Sequence, residues 1–244
     1  MSVAEARERI AARVALDLAP GEVVNLGIGL PTEVARHLPG PAGPDDPDGR
    51  GGGRAEPVWL HAENGMVGMG PDAPPSAEDP DRIDAGGRYV GVTPGGAYLD
   101  SVTAFALVRN GRVRTCVLGA FEVDVHGDLA NWRVPGRTSP GVGGGMELAQ
   151  RVPRVIVATL HRDKAGGAKL VERCRLPRTA RGVVQRIVTE LAVLAPAGDR
   201  FDVLELAPGV EAADVSAATD APVAFDRVRP WGGAAAPEEG ATIP

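Results

Sequence analysis

Seven short runs, each apolar nearly throughout and closed by glycine or proline, set the tightest limit on how this chain can fold. They are "EVVNLGIG" (22–29), "PVWLHAE" (57–63), "RYVGVTPGG" (88–96), "VRTCVLGA" (113–120), "RVIVATL" (154–160), "RIVTELAVL" (186–194) and "DVLELAPG" (202–209). Patterns of helical spacing fall between several of them, at 31–38, 101–111, 146–152 and 211–219. A strand with one wet face alternates apolar and polar residues, whereas a run apolar on both faces needs cover on both sides. Such strands alternating with helices predict an α/β fold: an open, mainly parallel sheet with helices on both faces. In sheets of this kind the ligand crevice lies at the carboxyl ends of the strands.

The chain has 244 residues, 43% of them hydrophobic, enough for one large domain with a real core. We place that domain at 1–228. Segment 39–57, "PGPAGPDDPDGRGGGRAEP", is dense in Pro, Gly and Asp and reads as a flexible insertion. The stretch 229–244 has the same character and reads as a disordered tail. At the other end, Val3, Ala6, Ile10, Val14 and Leu18 recur at helical spacing between charged residues, and Pro20-Gly21 stops the pattern. That helix is too charged for a signal peptide, and no apolar run approaches a membrane span, so a cytoplasmic location is expected.

A net charge of −6 argues against a general nucleic-acid or anionic-membrane surface, though not against a phosphorylated ligand held by a local cluster of donors. Cys116 and Cys174 form neither a disulfide framework nor a CxxC site. Cys116 reads as a small buried hydrophobe. His37, His61, His126 and His161 lack metal-ligand spacing, and no metal is expected.

Three stretches carry candidate chemistry. In "LHAENGMVGMGP" (60–71), Glu63 stands where a buried strand empties into a turn made by Asn64 and Gly65. That is the carboxyl end of the strand, where function is expected; a purely structural acid is the alternative reading. "NLGIGLPTEVARHL" supplies a turn with Gly27 and Gly29, but Thr32 stands where a dinucleotide fingerprint needs its third glycine. "SPGVGGGMELAQ" (139–150) places Gly141, Gly143, Gly144 and Gly145 directly before an amphipathic helix. Backbone N–H groups in such a run can approach a ligand closely and favour negative charge. "GDLANW" (127–132) reads only as a loop with an aromatic anchor.

Together these residues resemble the B (beta) subunit of family I CoA-transferases, the 3-oxoacid and 3-oxoadipate CoA-transferase group. The matching segments, in family order over roughly residues 3–225, are "NLGIGLPTEVA", "AENGMVGMGP", "DPDRIDAGG", "VTPGGAYLDS", "VLGAFEV", "GDLANWRVPG", "GVGGGMELA" and "ELAPGV". The resemblance implies a transferase that moves CoA between an acyl-CoA and a carboxylic acid. CoA and acyl-CoA are then substrates with no permanently bound cofactor, and an A (alpha) subunit completes the CoA site. It implies that Glu63 is the nucleophile and that Asn25 and Gly144 stabilise the oxyanion. Substrate or CoA contacts are expected at Gly27, Gly29, Asn64, Gly65, Gly95, Gly96, Glu122, Gly143 and Gly145.

The sequence also departs from the family's pattern. Ala97, Tyr98 and Leu99 replace a small hydroxyl residue and an aromatic pair, Glu122 stands at a glutamine position, and Glu147 replaces a shorter acid. Pro140 enters the glycine loop, and segment 39–57 is longer than the family's connection. If Glu122 lined the pocket, its charge would disfavour a dicarboxylate substrate; an ion-paired strand-end role is the alternative. The departures keep open a thioester hydrolase using the same nucleophile, and a non-catalytic role as a partner chain.

Overall fold

The computed structural model describes residues 1–38, 56–136 and 141–233. Helix α1 (Val3–Ala15) opens the chain, followed by β1 (Val23–Leu26) and a 3-10 helix at Leu30–His37. Strands β2 (Trp59–Ala62), β3 (Met66–Asp72) and β4 (Val90–Tyr98) precede α2 (Ser101–Arg109). Next come β5 (Thr115–Leu118), β6 (Glu122–Asp124), β7 (Leu129–Ala130), α3 (Gly145–Arg151), β8 (Arg154–Ala158) and β9 (Leu170–Val171). The chain continues through β10 (Val184–Val188), β11 (Ala192–Pro196), β12 (Phe201–Leu206), α4 (Ala212–Ala218) and β13 (Val223–Ala224).

Ten strands form one sheet in the order β13-β12-β11-β10-β8-β5-β1-β2-β3-β4. Its centre, β10-β8-β5-β1-β2, is parallel throughout, while β11 and β3 turn antiparallel on either flank. Strands β7, β6 and β9 make a small second sheet. The expected mainly parallel α/β sheet is therefore present, with two differences at element level. The apolar run 186–194 is two strands, because Thr189 Oγ1 accepts from the Leu191 and Ala192 N–H groups and closes a tight turn between them. The helical pattern at 31–38 winds as a 3-10 helix, entered through Gly29 with no side-chain cap and with Pro31 in its first turn.

Alternation along the central strands separates two apolar layers. Cys116, Leu118, Val155, Val157 and Ile187 face Val108 of α2, Leu148 of α3 and Val215 of α4. Val117, Ile156 and Val188 face Ile10 and Val14 of α1 and Val34 of the 3-10 helix. Each such side chain taken fully from water stabilises by roughly 1.5–3 kcal/mol. Cys116 is wholly buried in the first layer, and burial pushes its thiol pKa up.

Helix α1 starts at a capping box in which Ser2 and Glu5 exchange hydrogen bonds. Its buried Arg13 forks onto Glu205 at 2.7 and 2.6 Å and reaches Asp17 at 3.0 Å, while Arg186 reaches the same Asp17 oxygen at 2.8 Å. The expected tail at 229–244 is corrected for its first residues. Arg229 N–H donates to the Leu204 carbonyl at 2.8 Å, Gly232 N–H donates to Glu205 Oε2 at 2.9 Å, and Trp231 covers Arg13 with 5.9 Å to the ring centroid. A Trp with a charged network to shield is what the composition of this stretch concealed. Residues 39–55, 137–140 and 234–244, which hold most of the proposed insertion, Pro140 and the rest of the tail, lie outside the described residues. Among the described residues no helix is long and apolar enough to cross a membrane.

Candidate active site

Strands β1 and β2 lie side by side in parallel, with Asn25 opposite His61. Because Val24, Leu26, Leu60 and Ala62 pack into the α1 layer, Asn25 and His61 project to the other face. Both are 1% exposed. One residue beyond the end of β2, the turn 63–65 opens with Glu63, which is half-buried.

This turn requires glycine at its third position. Gly65 has φ 123°, and a β-carbon there would collide with the Leu99 carbonyl oxygen. Gly65 instead accepts from Leu99 N–H at 2.8 Å and donates to the Ala62 carbonyl at 3.0 Å. The turn is thereby fixed between β2 and the end of β4.

The carboxamide of Asn25 links the elements. Its Nδ2 lies 3.1 Å from Glu63 Oε2, 3.1 Å from the His61 carbonyl oxygen and 3.2 Å from His61 Nδ1. His61 Nε2 lies 3.1 Å from the Ala104 carbonyl oxygen on α2. A carbonyl only accepts, so Nε2 carries the proton and Nδ1 is left to accept from Asn25. Burial also lowers the His61 pKa, favouring the neutral ring. These acceptors fix the amide with nitrogen towards Glu63; Asn25 Oδ1 is buried without a hydrogen-bond partner.

The glycine loop completes the cluster. Gly144 has an ordinary φ of −75°, so its identity is a matter of space rather than backbone conformation. A β-carbon there would lie 2.8 Å from Phe105 Cζ and 3.5 Å from Glu63 Cγ. The loop thus passes directly against the Glu63 side chain, backed by the Phe105 ring. Arg109 sits over that ring, 5.8 Å from its centroid, and forks onto Glu147 of α3. Helix α2 therefore holds His61 through Ala104 and the loop through Phe105.

Glu63, Asn25 and Gly144 are brought together. His61 is part of the same constellation, though sequence reasoning gave it no weight. The signal was present: period-2 alternation puts it on the face of β2 that Asn25 uses in β1. Gly27 follows Asn25 and donates to the Val117 carbonyl at 2.8 Å, and exposed Gly29 begins the 3-10 helix. Exposed Gly143 and half-buried Gly145 flank Gly144. Asn64 is exposed, its side chain donating to the Ile83 carbonyl at 2.9 Å. Gly95 and Gly96 lie in a bulge of β4, packed on Trp59 and on Val67 of β3, which accounts for their small size.

Glu122 takes the ion-paired, strand-end position. Its Oε2 accepts from the Arg175 and Leu176 N–H groups at 2.7 and 2.9 Å, and Oε1 from Arg175 Nε at 3.3 Å. The acid at 147 likewise has its partner in Arg109. Among the described residues, no group of three or more His, Cys, Asp or Glu side chains is placed to hold a metal ion.

A buried amide and a glycine loop converge on one half-buried carboxylate, an arrangement suited to acyl chemistry. The Coenzyme A transferase family model matches residues 7–218. The chain belongs to that family. It is 43% identical over 217 residues to the beta chain of the acetate CoA-transferase of Escherichia coli K12, covering 89% of this chain and 93% of that one. It is 42% identical over 206 residues to the B subunit of the 3-oxoadipate CoA-transferase of Pseudomonas putida KT2440, covering 84% and 90%. Among solved structures, an acyl-CoA transferase apoenzyme from Escherichia coli O157:H7 superposes with a TM-score of 0.68 at 22% identity. That match covers 92% of this CoA-transferase chain and 43% of the longer protein, and it shows the shared fold.

Proposed function

We propose that this chain is the nucleophile-bearing B subunit of a CoA-transferase that moves CoA between an acyl-CoA and a small, 3-oxoacid-like carboxylic acid. The observation that carries the reading is the unequal treatment of the two Glu63 oxygens. Asn25 Nδ2 donates to Oε2, while Oε1 has no hydrogen-bond partner among the described residues and remains free to attack.

In the first step Oε1 bonds to the acyl carbonyl carbon and the C–S bond breaks, giving a mixed anhydride and CoA thiolate. The thiolate then attacks Cδ of Glu63. The Cδ–Oε1 bond breaks, the acid departs with that oxygen, and a glutamyl-CoA thioester remains. An incoming carboxylate runs the two steps in reverse and leaves as its CoA ester. This is covalent catalysis with ping-pong kinetics, and each step exchanges one activated acyl group for another.

The donors divide by step. In the outer steps the oxyanion forms on the substrate's acyl carbon, where the Gly144 loop lies against Glu63. In the inner steps the tetrahedral centre is Cδ of Glu63 itself, and the charge forms on the oxygen that Asn25 already holds. A donor aimed in advance at developing charge is the usual source of large rate effects.

Both relatives are named as one of two kinds of chain, beta or B, which supports a partner A (alpha) chain for this protein too. The test uses the chain co-purified with that partner. Acyl-CoA followed by hydroxylamine or borohydride should mark Glu63, and Glu63→Ala should abolish transfer. Full transfer activity in Glu63→Ala would sink the reading.

A further inference from the structure

Belonging to the family leaves the acyl group open, since the relatives above are named for different acids. The rim of the site is more specific. Ile28, Tyr98, Val102 and Met146 are large apolar side chains left exposed, and each stands on a segment tied to the Glu63 cluster.

The ties are direct. Ile28 lies between Gly27 and Gly29 at the end of β1, three residues beyond Asn25. Tyr98 is opposite Met66 in the ladder of β3 and β4, and the next residue, Leu99, donates to the Gly65 carbonyl of the Glu63 turn. Val102 is in the first turn of α2, three residues before Phe105, so the two side chains are neighbours on one helix face. Met146 is in the first turn of α3, two residues after Gly144. A β-carbon on Gly144 would meet both Phe105 and Glu63, so Val102 and Met146 flank the contact that reaches the carboxylate.

Ile28, Tyr98 and Val102 keep 64%, 59% and 72% of their surface in water. A single exposed apolar residue needs no account, whereas four gathered around one site mark a surface that meets something apolar. The reacting carbonyl of a thioester must reach Oε1 of Glu63, so the groups attached to that carbonyl lie along this rim. Of those groups, the pantetheine arm carries amides that need polar partners, while the acyl chain can be wholly apolar.

Charge narrows the class further. Segments 27–29, 98–102 and 144–147 carry two charged side chains, Asp100 and Glu147, and both are acids. Arg109 pairs with Glu147. Asp100 stands exposed between Tyr98 and Val102, accepting from the Thr103 N–H at 2.9 Å and hydroxyl at 2.8 Å, and these donors hold its pKa below the usual value. A second carboxylate on the acyl chain would meet a like charge there, the kind of repulsion by which a site rejects a wrong partner. We propose that Tyr98, Val102 and Met146 seat the acyl chain and select monocarboxylic acids with a short apolar chain over dicarboxylic acids. This rests on Glu63 being the nucleophile. The partner chain is the other occupant such a rim could have, and the test separates the two.

The experiment uses the chain co-purified with its partner and compares acetyl-CoA, butyryl-CoA and succinyl-CoA as donors in forming the glutamyl thioester. A methylene taken from water is worth ~0.8 kcal/mol, about fourfold, so two partly covered methylenes should favour butyryl-CoA over acetyl-CoA by about tenfold in kcat/KM. Butyryl-CoA should also exceed succinyl-CoA, which has the same number of acyl carbons and a second charge. Val102→Lys replaces apolar surface with a cation and should shift the butyryl to succinyl ratio towards succinyl-CoA by about tenfold, equivalent to ~1.4 kcal/mol. Asp100→Asn keeps the helix cap and should shift the same ratio by about fivefold at most, as for like charges ~4 Å apart in water. A wild-type preference for succinyl-CoA overturns the proposal, and so does a wild-type ratio in either variant. A folded Val102→Lys chain that fails to co-purify assigns the rim to the partner chain and overturns it as well. Hydroxylamine marking of Glu63 keeps the two readings apart: marking by all three donors with succinyl-CoA preferred rejects the acyl seat alone, whereas no marking by any donor rejects the nucleophile.

Discussion

Asn25 Nδ2 and Glu63 Oε2 lie 3.1 Å apart, so one oxygen of the proposed nucleophile is held before any substrate arrives. In the proposed mechanism this makes Asn25 a donor to charge on the enzyme's own carbonyl. Asn25→Ala should lower kcat by roughly 10²–10³, the usual effect of losing one such donor. In that mechanism the oxyanion sits on Glu63 both when the glutamyl thioester forms from the anhydride and when it breaks down, so both should slow. Rapid-quench measurement of thioester formation and decay checks this; an unchanged rate for either would contradict the assignment.

In the proposed mechanism His61 acts through Asn25, as a positioning residue. His61→Leu removes the acceptor for the Asn25 amide and the donor to Ala104, and it should lower kcat with little change in KM. His61→Gln offers one acceptor and one donor on a side chain of similar reach and should recover most of that loss. The ring also imposes a pH limit. Protonated His61 would present Nδ1–H to the amide nitrogen of Asn25, two donors facing each other, with Glu63 the charged group beside it. Burial lowers the His61 pKa, so the disruption begins below the ordinary imidazole range. Wild-type kcat should therefore fall at a higher pH than that of His61→Gln; superimposable acid limbs would refute the role.

Much of this site was legible in the sequence. Glu63 was located by strand-end logic, and the glycine run by its place before a helix. Their convergence was not, since 81 positions of chain separate Glu63 from the Gly144 that packs against it. The sheet followed from runs apolar on both faces, yet the same property hid the Thr189 turn, because "RIVTELAVL" is apolar on either side of it. Glu122 shows the opposite limit. Its position by motif suggested a pocket acid, but its partners are the N–H groups of Arg175 and Leu176, more than 50 residues away. No local pattern encodes such a partner.

Gly144→Ala tests the fit of the loop. The new β-carbon meets Phe105 Cζ at 2.8 Å, and relief requires moving the ring or the loop that touches Glu63. A displacement of about 1 Å at a reacting centre can cost on the order of 10²-fold in rate. Backbone strain is absent at φ −75°, so thermal stability should change less than activity. Phe105→Leu, by removing the crowded ring atom, should restore part of the activity to Gly144→Ala. Failure of that rescue would place the cause outside this contact.

Acid stability should depend on His161. Its Nδ1 and Nε2 lie 3.0 and 2.9 Å from the hydroxyls of Thr189 and Thr219, and burial, helped by the Arg162 charge, lowers its pKa from 6.5 to about 4. Glu190 faces the same segment, its carboxylate accepting from His161 N–H at 2.9 Å. Between pH 6.5 and about 4 the unfolded chain holds the His161 proton and the folded chain does not. Unfolded protein then binds more protons, so stability falls as pH falls through that window and is flat above it for this group. His161→Gln should show a shallower slope of unfolding free energy against pH there; an unchanged slope would exclude His161 as the source.

The segment after β13 closes a buried charge network. Glu205 holds the buried Arg13 with both oxygens, and Gly232 N–H and the Trp231 ring close the same network from the chain's C-terminal side. Removing one partner of a buried ion pair leaves an uncompensated charge, at about 3–5 kcal/mol. Asp17 still reaches Arg13 at 3.0 Å, so Glu205→Gln should lie near the lower end, about 3 kcal/mol. Trp231→Ala exposes the guanidinium to water and should cost less, about 1–2 kcal/mol. Because Trp231 shields the charge that Glu205 neutralises, the two effects should not add. The double variant should be more stable than the sum of the single losses predicts, since water reaching Arg13 relieves the unpaired charge. Denaturant titration of the four proteins checks this, and simple additivity would show that the C-terminal segment packs beside the network without being coupled to it.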